Sequence, residues 1–199
     1  MRDVQIIDSP AAAASALDPV RSQLLAELAQ PASAAALAHR LGVPRQKLNY
    51  HLRALESHGL IEIAEKRRWG GLTERLLVAT ATSYMVSPTA MGAVAADPER
   101  SADRLSASYL IALAARIVRE LSSLLRRAEE TNKRLATLAI DTEIRFGSPA
   151  GRAAFTEELS TAITRLVAKY HDPAATEGRS HRLVIVAHPL PQSPSSALT

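Results

Sequence analysis

The sequence predicts an α+β chain, mostly helical, with a small C-terminal strand-helix-strand unit. Three observations predict it. Apolar residues recur at helical spacing in several stretches that open at Ser or Asp and close at Gly or Pro. Between residues 60 and 80, two short β-prone runs flank a polar, Gly-ended turn. After residue 135, alternating apolar residues precede one more helical stretch, and a short apolar run follows it. The divisions expected from these changes are 1–96, 97–131, 132–190 and a loose tail, 191–199, containing Pro and Ser.

Asp18-Pro19 has the form of a helix start, because Asp caps free N–H groups and Pro has none to lose in the first turn. Val20, Leu24, Leu25 and Leu28 follow at helical spacing up to Pro31. Ser33 caps a second helix, Ala34 to Leu41, which Gly42 ends. A third runs from Pro44 to about His58, with Gly59 where a left-handed cap is wanted. Leu60 to Ala64 reads as a strand, Glu65 to Gly71 as a turn and Glu74 to Thr80 as the returning strand, with a further strand at Tyr84 to Val86.

Asp97-Pro98 predicts a long helix reaching Thr131. In it Leu110, Ala114, Ile117, Leu121, Leu124 and Ala128 step by 4, 3, 4, 3, 4, and Ile111, Val118 and Leu125 add a second line. A face this wide must be buried, and the heptad-like spacing suggests a helix of a second chain. Leu135 to Phe146 is β-like. Ser148-Pro149 opens a helix with Phe155, Leu159, Ile163, Leu166 and Tyr170 on one face, and Leu183 to Val186 is a buried-strand candidate.

With 47% hydrophobic but only 4% aromatic residues, Ala, Leu, Val and Ile must fill the core. No apolar run reaches the ~20 residues that cross a bilayer, so no membrane partner is expected. Met1 to Asp8 does not read as a secretion signal. There is no cysteine, which excludes disulfides and thiolate metal sites and agrees with a cytoplasmic location. Net charge is +4. From His39 to Arg75, eight bases (Arg40, Arg45, Lys47, Arg53, Lys66, Arg67, Arg68, Arg75) stand against four acids, an excess equal to the whole chain's. A surface for a polyanion belongs there.

Helix, tight turn at Gly42-Val43, helix is the arrangement of a helix-turn-helix. The second of these helices puts Leu48, Leu52 and Leu55 on one face. The other carries Arg45, Gln46, Asn49, Tyr50 and Arg53, and no acid. Arg bonds guanine in bidentate fashion, and Asn or Gln does the same to adenine; a face that is merely solvated usually mixes Glu with Lys. The hairpin that follows has the form of a wing. Arg67 and Arg68 at its tip are placed to meet phosphates or a minor groove, and Trp69 to pack on the wing strands.

Leu17-Asp18-Pro19-Val20-Arg21, Leu37-Ala38-His39-Arg40-Leu41-Gly42-Val43, Leu48-Asn49-Tyr50-His51-Leu52-Arg53-Ala54-Leu55 and Gly59-Leu60-Ile61 resemble the ArsR-type winged helix-turn-helix regulators over about residues 15–88. The resemblance implies a symmetric dimer, a recognition helix in the major groove, a palindromic operator and control by a signal. It places Arg45, Gln46, Asn49, Tyr50 and Arg53 in the reading helix and gives His51 a structural role. Many members sense metals through a Cys pair in the helix that here is Ala34 to Leu41, or through Asp and His on the C-terminal helix. This chain has no Cys and no His between Asp97 and Thr131, so neither arrangement is expected.

His171, His181 and His188 are spaced by 10 and 7, which matches no compact ligand motif. Glu129-Glu130 and Glu157-Glu158 suit solvated helix faces, and there is no phosphate loop or nucleophile elbow. No catalytic residue, metal or cofactor is therefore expected. The C-terminal unit is too small to cover its own sheet; a cleft against its helix, lined by Phe155, Leu159 and Tyr170, is a candidate site for a small apolar effector, with plain core the alternative. The function that follows is a homodimeric regulator of double-stranded DNA, expected to be a repressor. The competing readings are an architectural DNA binder of low specificity and a winged-helix protein-interaction module.

Overall fold

The computed structural model describes residues 1–69 and 72–191, the side chains of Trp69 and Leu72 excepted. Along the chain the elements are β1 (Arg2–Ile7), α1 (Pro10–Leu17), α2 (Pro19–Glu27), β2 (Ala32–Ser33), α3 (Ala34–Leu41), α4 (Arg45–Ser57), β3 (Ile61–Trp69), β4 (Leu72–Ala79), β5 (Ala81–Val86), α5 (Ala107–Glu130) and α6 (Pro149–Tyr170). The architecture is α+β and mostly helical. Among the described residues no helix is long and apolar enough to cross a membrane. The chain divides into two units, Met1–Leu135 and Ala136–Thr199.

Short polar side chains cap the starts of α1, α2, α3 and α5, whereas α4 opens at Pro44 without a side-chain cap. Ser9, Asp18, Ser33 and Ser106 each accept a hydrogen bond from the backbone N–H three residues on, at 3.4, 3.0, 3.3 and 3.1 Å. Gly42, with φ +63°, closes α3 in the left-handed region, as the turn into α4 requires. Leu24, Leu28, Leu37, Leu48, Leu55, Leu60 and Ile61 are fully buried and draw α2, α3, α4 and the start of β3 into one core. β2, β4 and β3 form an antiparallel sheet in that order. Its base is locked by Tyr84, whose hydroxyl donates to the Leu60 carbonyl at 2.6 Å and accepts from the Thr80 N–H at 3.1 Å.

The structure departs from the sequence-based expectations in several places. β1 and α1 were not foreseen; β1 pairs in parallel with β5, from Arg2 opposite Ala81 to Ile7 opposite Val86. Glu65 to Trp69, expected in a turn, continues β3, because Lys66, Arg67 and Arg68 pair in register with Arg75, Glu74 and Thr73; Gly70 and Gly71 lie outside the described residues. Asp97-Pro98 opens only a short 3-10 turn, and the long helix starts at Ala107, where Ser106 provides a second cap. In α5 the residues buried within the chain are Ala112, Leu113 and Ser122, whereas Ile111, Leu121, Leu124 and Leu125 of the expected apolar face stay exposed.

In the second unit α6 is present as expected, with Ser148 capping it through the Gly151 N–H at 3.0 Å. The strands expected on either side are not formed: among the described residues, neither 135–146 nor 183–186 joins a ladder. With no sheet beside it, α6 has no buried residue. Residues 192–199, most of the expected tail, lie outside the described residues.

Candidate nucleic-acid interface

The spacing of Leu48, Leu52 and Leu55 decides how α4 sits. All three are buried in the core, together with His51, and this fixes the opposite face outward. Arg45, Gln46 and Arg53 are exposed, Asn49 is half-buried at the edge, and Tyr50 is 67% exposed. The five residues selected from sequence thus lie on one outward stripe. Lys47, also exposed, adds a cation in the first turn of α4. There the free N–H groups of a helix start already favour a phosphate.

Two contacts hold this helix against its neighbours. The buried imidazole of His51 brings Nδ1 to 4.0 Å from Oδ1 of Asp18, the residue that caps α2. The Arg21 N–H donated to that carboxyl is the main reason it titrates below its ordinary range; Arg21 and His51 add favourable charge, while burial opposes the shift. Glu56, late in α4, pairs with Arg75 of β4. Sequence alone showed an acid and a base here, without the fold that joins them.

The wing cations are not equivalent. Arg67 donates twice to the Glu65 carboxylate, both bonds at 3.0 Å, and this pairing raises its pKa while lowering that of Glu65. Arg40 is bound to Glu27 at 3.0 Å, and Arg75 to Glu56. Of the eight bases between His39 and Arg75, this leaves Arg45, Lys47, Arg53, Lys66 and Arg68 without an ion pair among the described residues. They fall on α4 and β3.

The other candidates are not gathered into a site. Phe155 stacks at a tilt on Phe146, with ring centroids 5.3 Å apart; Leu159 is half-buried and Tyr170 exposed. With the flanking strands unformed, these residues line no cleft between helix and sheet. His171, His181 and His188 form no metal-holding cluster among the described residues.

Residues 16–64, from the end of α1 into β3, match a family model described as a helix-turn-helix domain. No curated protein matches the chain. The chain therefore carries a helix-turn-helix domain, the DNA-binding element of transcription regulators.

Proposed function

We propose that the chain is a dimeric, sequence-specific transcriptional repressor of the ArsR type, acting in the cytoplasm. In this reading residues 1–96 bind DNA, residues 97–131 dimerise, and α4 reads each half of a palindromic operator while the wing holds phosphates. The observation that carries it is the division of α4. Its apolar side is consumed by the core, and its outward side presents Arg45, Gln46, Asn49, Tyr50 and Arg53 with no acid among them. Such a stripe suits base edges in a major groove, which is wide enough to admit a helix. The exposed Ile111, Leu121, Leu124 and Leu125 on α5 support a two-fold contact with a second copy. The lack of Cys, and of His from Asp97 to Thr131, favours an apolar effector over a metal. Phe155, Leu159 and Tyr170 are then the first residues to replace.

Selection of bound sequences from a random duplex pool tests the reading. The expected outcome is an inverted repeat with half-sites about 10 bp apart, centre to centre. Binding without enrichment would favour the architectural reading, and no binding the protein-interaction module.

A further inference from the structure

The second unit carries apolar residues but no interior. None of its described residues, 136–191, is buried. Leu138 and Ile140 are 85% and 84% exposed, and Ile144, Phe146, Leu183 and Ile185 are exposed as well. A domain of about 60 residues ordinarily buries about 60% of the surface its unfolded chain exposes. Apolar side chains that find no interior within their own unit call for another surface to cover them.

The segment before α6 has the pattern of a strand that lacks its partner. Leu138, Ile140, Thr142, Ile144 and Phe146 fall on one side at period two, and Asp141, Glu143 and Arg145 on the other. It joins no ladder among the described residues, so its backbone donors and acceptors are open to another strand.

The charged side says what that strand is. Suppose the segment pairs with itself, antiparallel, about a two-fold axis. Centring the axis on Asp141, Glu143 or Arg145 sets a charge against its own copy. Centring it on Thr142 sets Asp141 against Glu143 twice. Centring it on Ile144 sets Glu143 against Arg145 twice and, on the apolar side, Ile144 against itself and Thr142 against Phe146. The register centred on Glu143 also sets Asp141 against Arg145, but it opposes Glu143 to its own copy. Of these five registers, only the last puts opposite charges face to face without opposing like charges, which are destabilising when directly opposite.

We propose that the second unit is a self-association module, in which the segment around Ile144 pairs antiparallel with the same segment of a second copy, Ile144 opposite Ile144. The contact is separate from α5 and from DNA.

The absence of cysteine makes the test direct. In the full chain without DNA, Ile144→Cys is expected to give a disulfide-linked dimer on mild oxidation. Thr142→Cys and Ile140→Cys are not. In this register each lies about 14 or 27 Å along the strand from its own copy, beyond the ~7 Å that a disulfide spans. In the Ile144→Cys chain, Glu143→Arg or Arg145→Glu alone should cut the dimer yield at least threefold, and the two together should restore it. No cross-link at 144, equal cross-linking at 140 and 142, or failure of the double reversal to restore the yield would overturn the proposal. Because DNA is absent, the result does not depend on whether the chain reads an operator.

Discussion

The Glu56 carboxylate on α4 accepts a hydrogen bond from the Arg75 guanidinium on β4, tying the second helix of the helix-turn-helix to the hairpin. The pair also takes one cation out of the candidate nucleic-acid interface. Both side chains remain partly exposed, so the pair contributes little to stability, within about 1 kcal/mol.

Glu56→Gln should therefore release Arg75 at small cost to the fold. Binding to random duplex is expected to tighten, and the slope of log K against log salt to steepen by about 0.9, the value for one further phosphate neutralised. Titration at several salt concentrations checks this; an unchanged slope would mean that Arg75 does not reach a phosphate.

A division of labour between helix and wing is the second expectation. Asn49→Ala and Arg53→Ala should relax base preference and cost ~1–3 kcal/mol at the selected site. Arg68→Ala should weaken selected and random duplexes alike and flatten the salt slope by about one phosphate. Arg67→Ala should do less than Arg68→Ala, because Glu65 already neutralises Arg67. Equal slopes for the two wing variants would show that the Arg67–Glu65 pair opens on DNA.

What the sequence made legible was what local physics specifies. Asp18, Ser33 and Ser148 are caps in sequence and in structure, and the leucines of α4 face inward as their spacing requires. β1 escaped because its partner β5 is some 80 residues away, and parallel pairing leaves no turn between the two strands to betray it. The Ala-rich α1 has few large apolar residues to mark a periodicity. At Asp97-Pro98 the start signal was genuine, but Asp97 caps only a short turn; Ser106 also caps, and sequence alone does not rank two competing starts. The wing cations were recognised by type, but only the folded hairpin separates the paired Arg67 from Arg68.

Gly42→Ala isolates backbone strain at the turn between α3 and α4. With φ +63° the residue is in the left-handed region, while an added Cβ would meet nothing within 4 Å. The cost is then conformational, about 1–2 kcal/mol. Gly147→Ala also meets open space, but without positive φ, and should change stability little. Urea unfolding of the two variants makes the comparison; equal effects would mean that the Gly42 turn carries no special strain.

Acid sensitivity should trace in part to Asp18. The Arg21 N–H bonded to its carboxyl, and the nearby charges of Arg21 and His51, hold its folded pKa below the ordinary value, which the unfolded chain keeps. The unfolded chain thus takes up the proton first as pH falls. The stability Asp18 contributes is complete above the unfolded pKa, near 4, and is lost as pH drops through the folded one. Asp18→Asn keeps an oxygen that can accept the Arg21 N–H but removes the titration. Its stability should fall less steeply than that of the parent between about pH 5 and pH 3, measured by urea unfolding across that range. Parallel curves for parent and variant would assign the acid loss to other carboxylates and leave Asp18 as a cap whose charge plays no part.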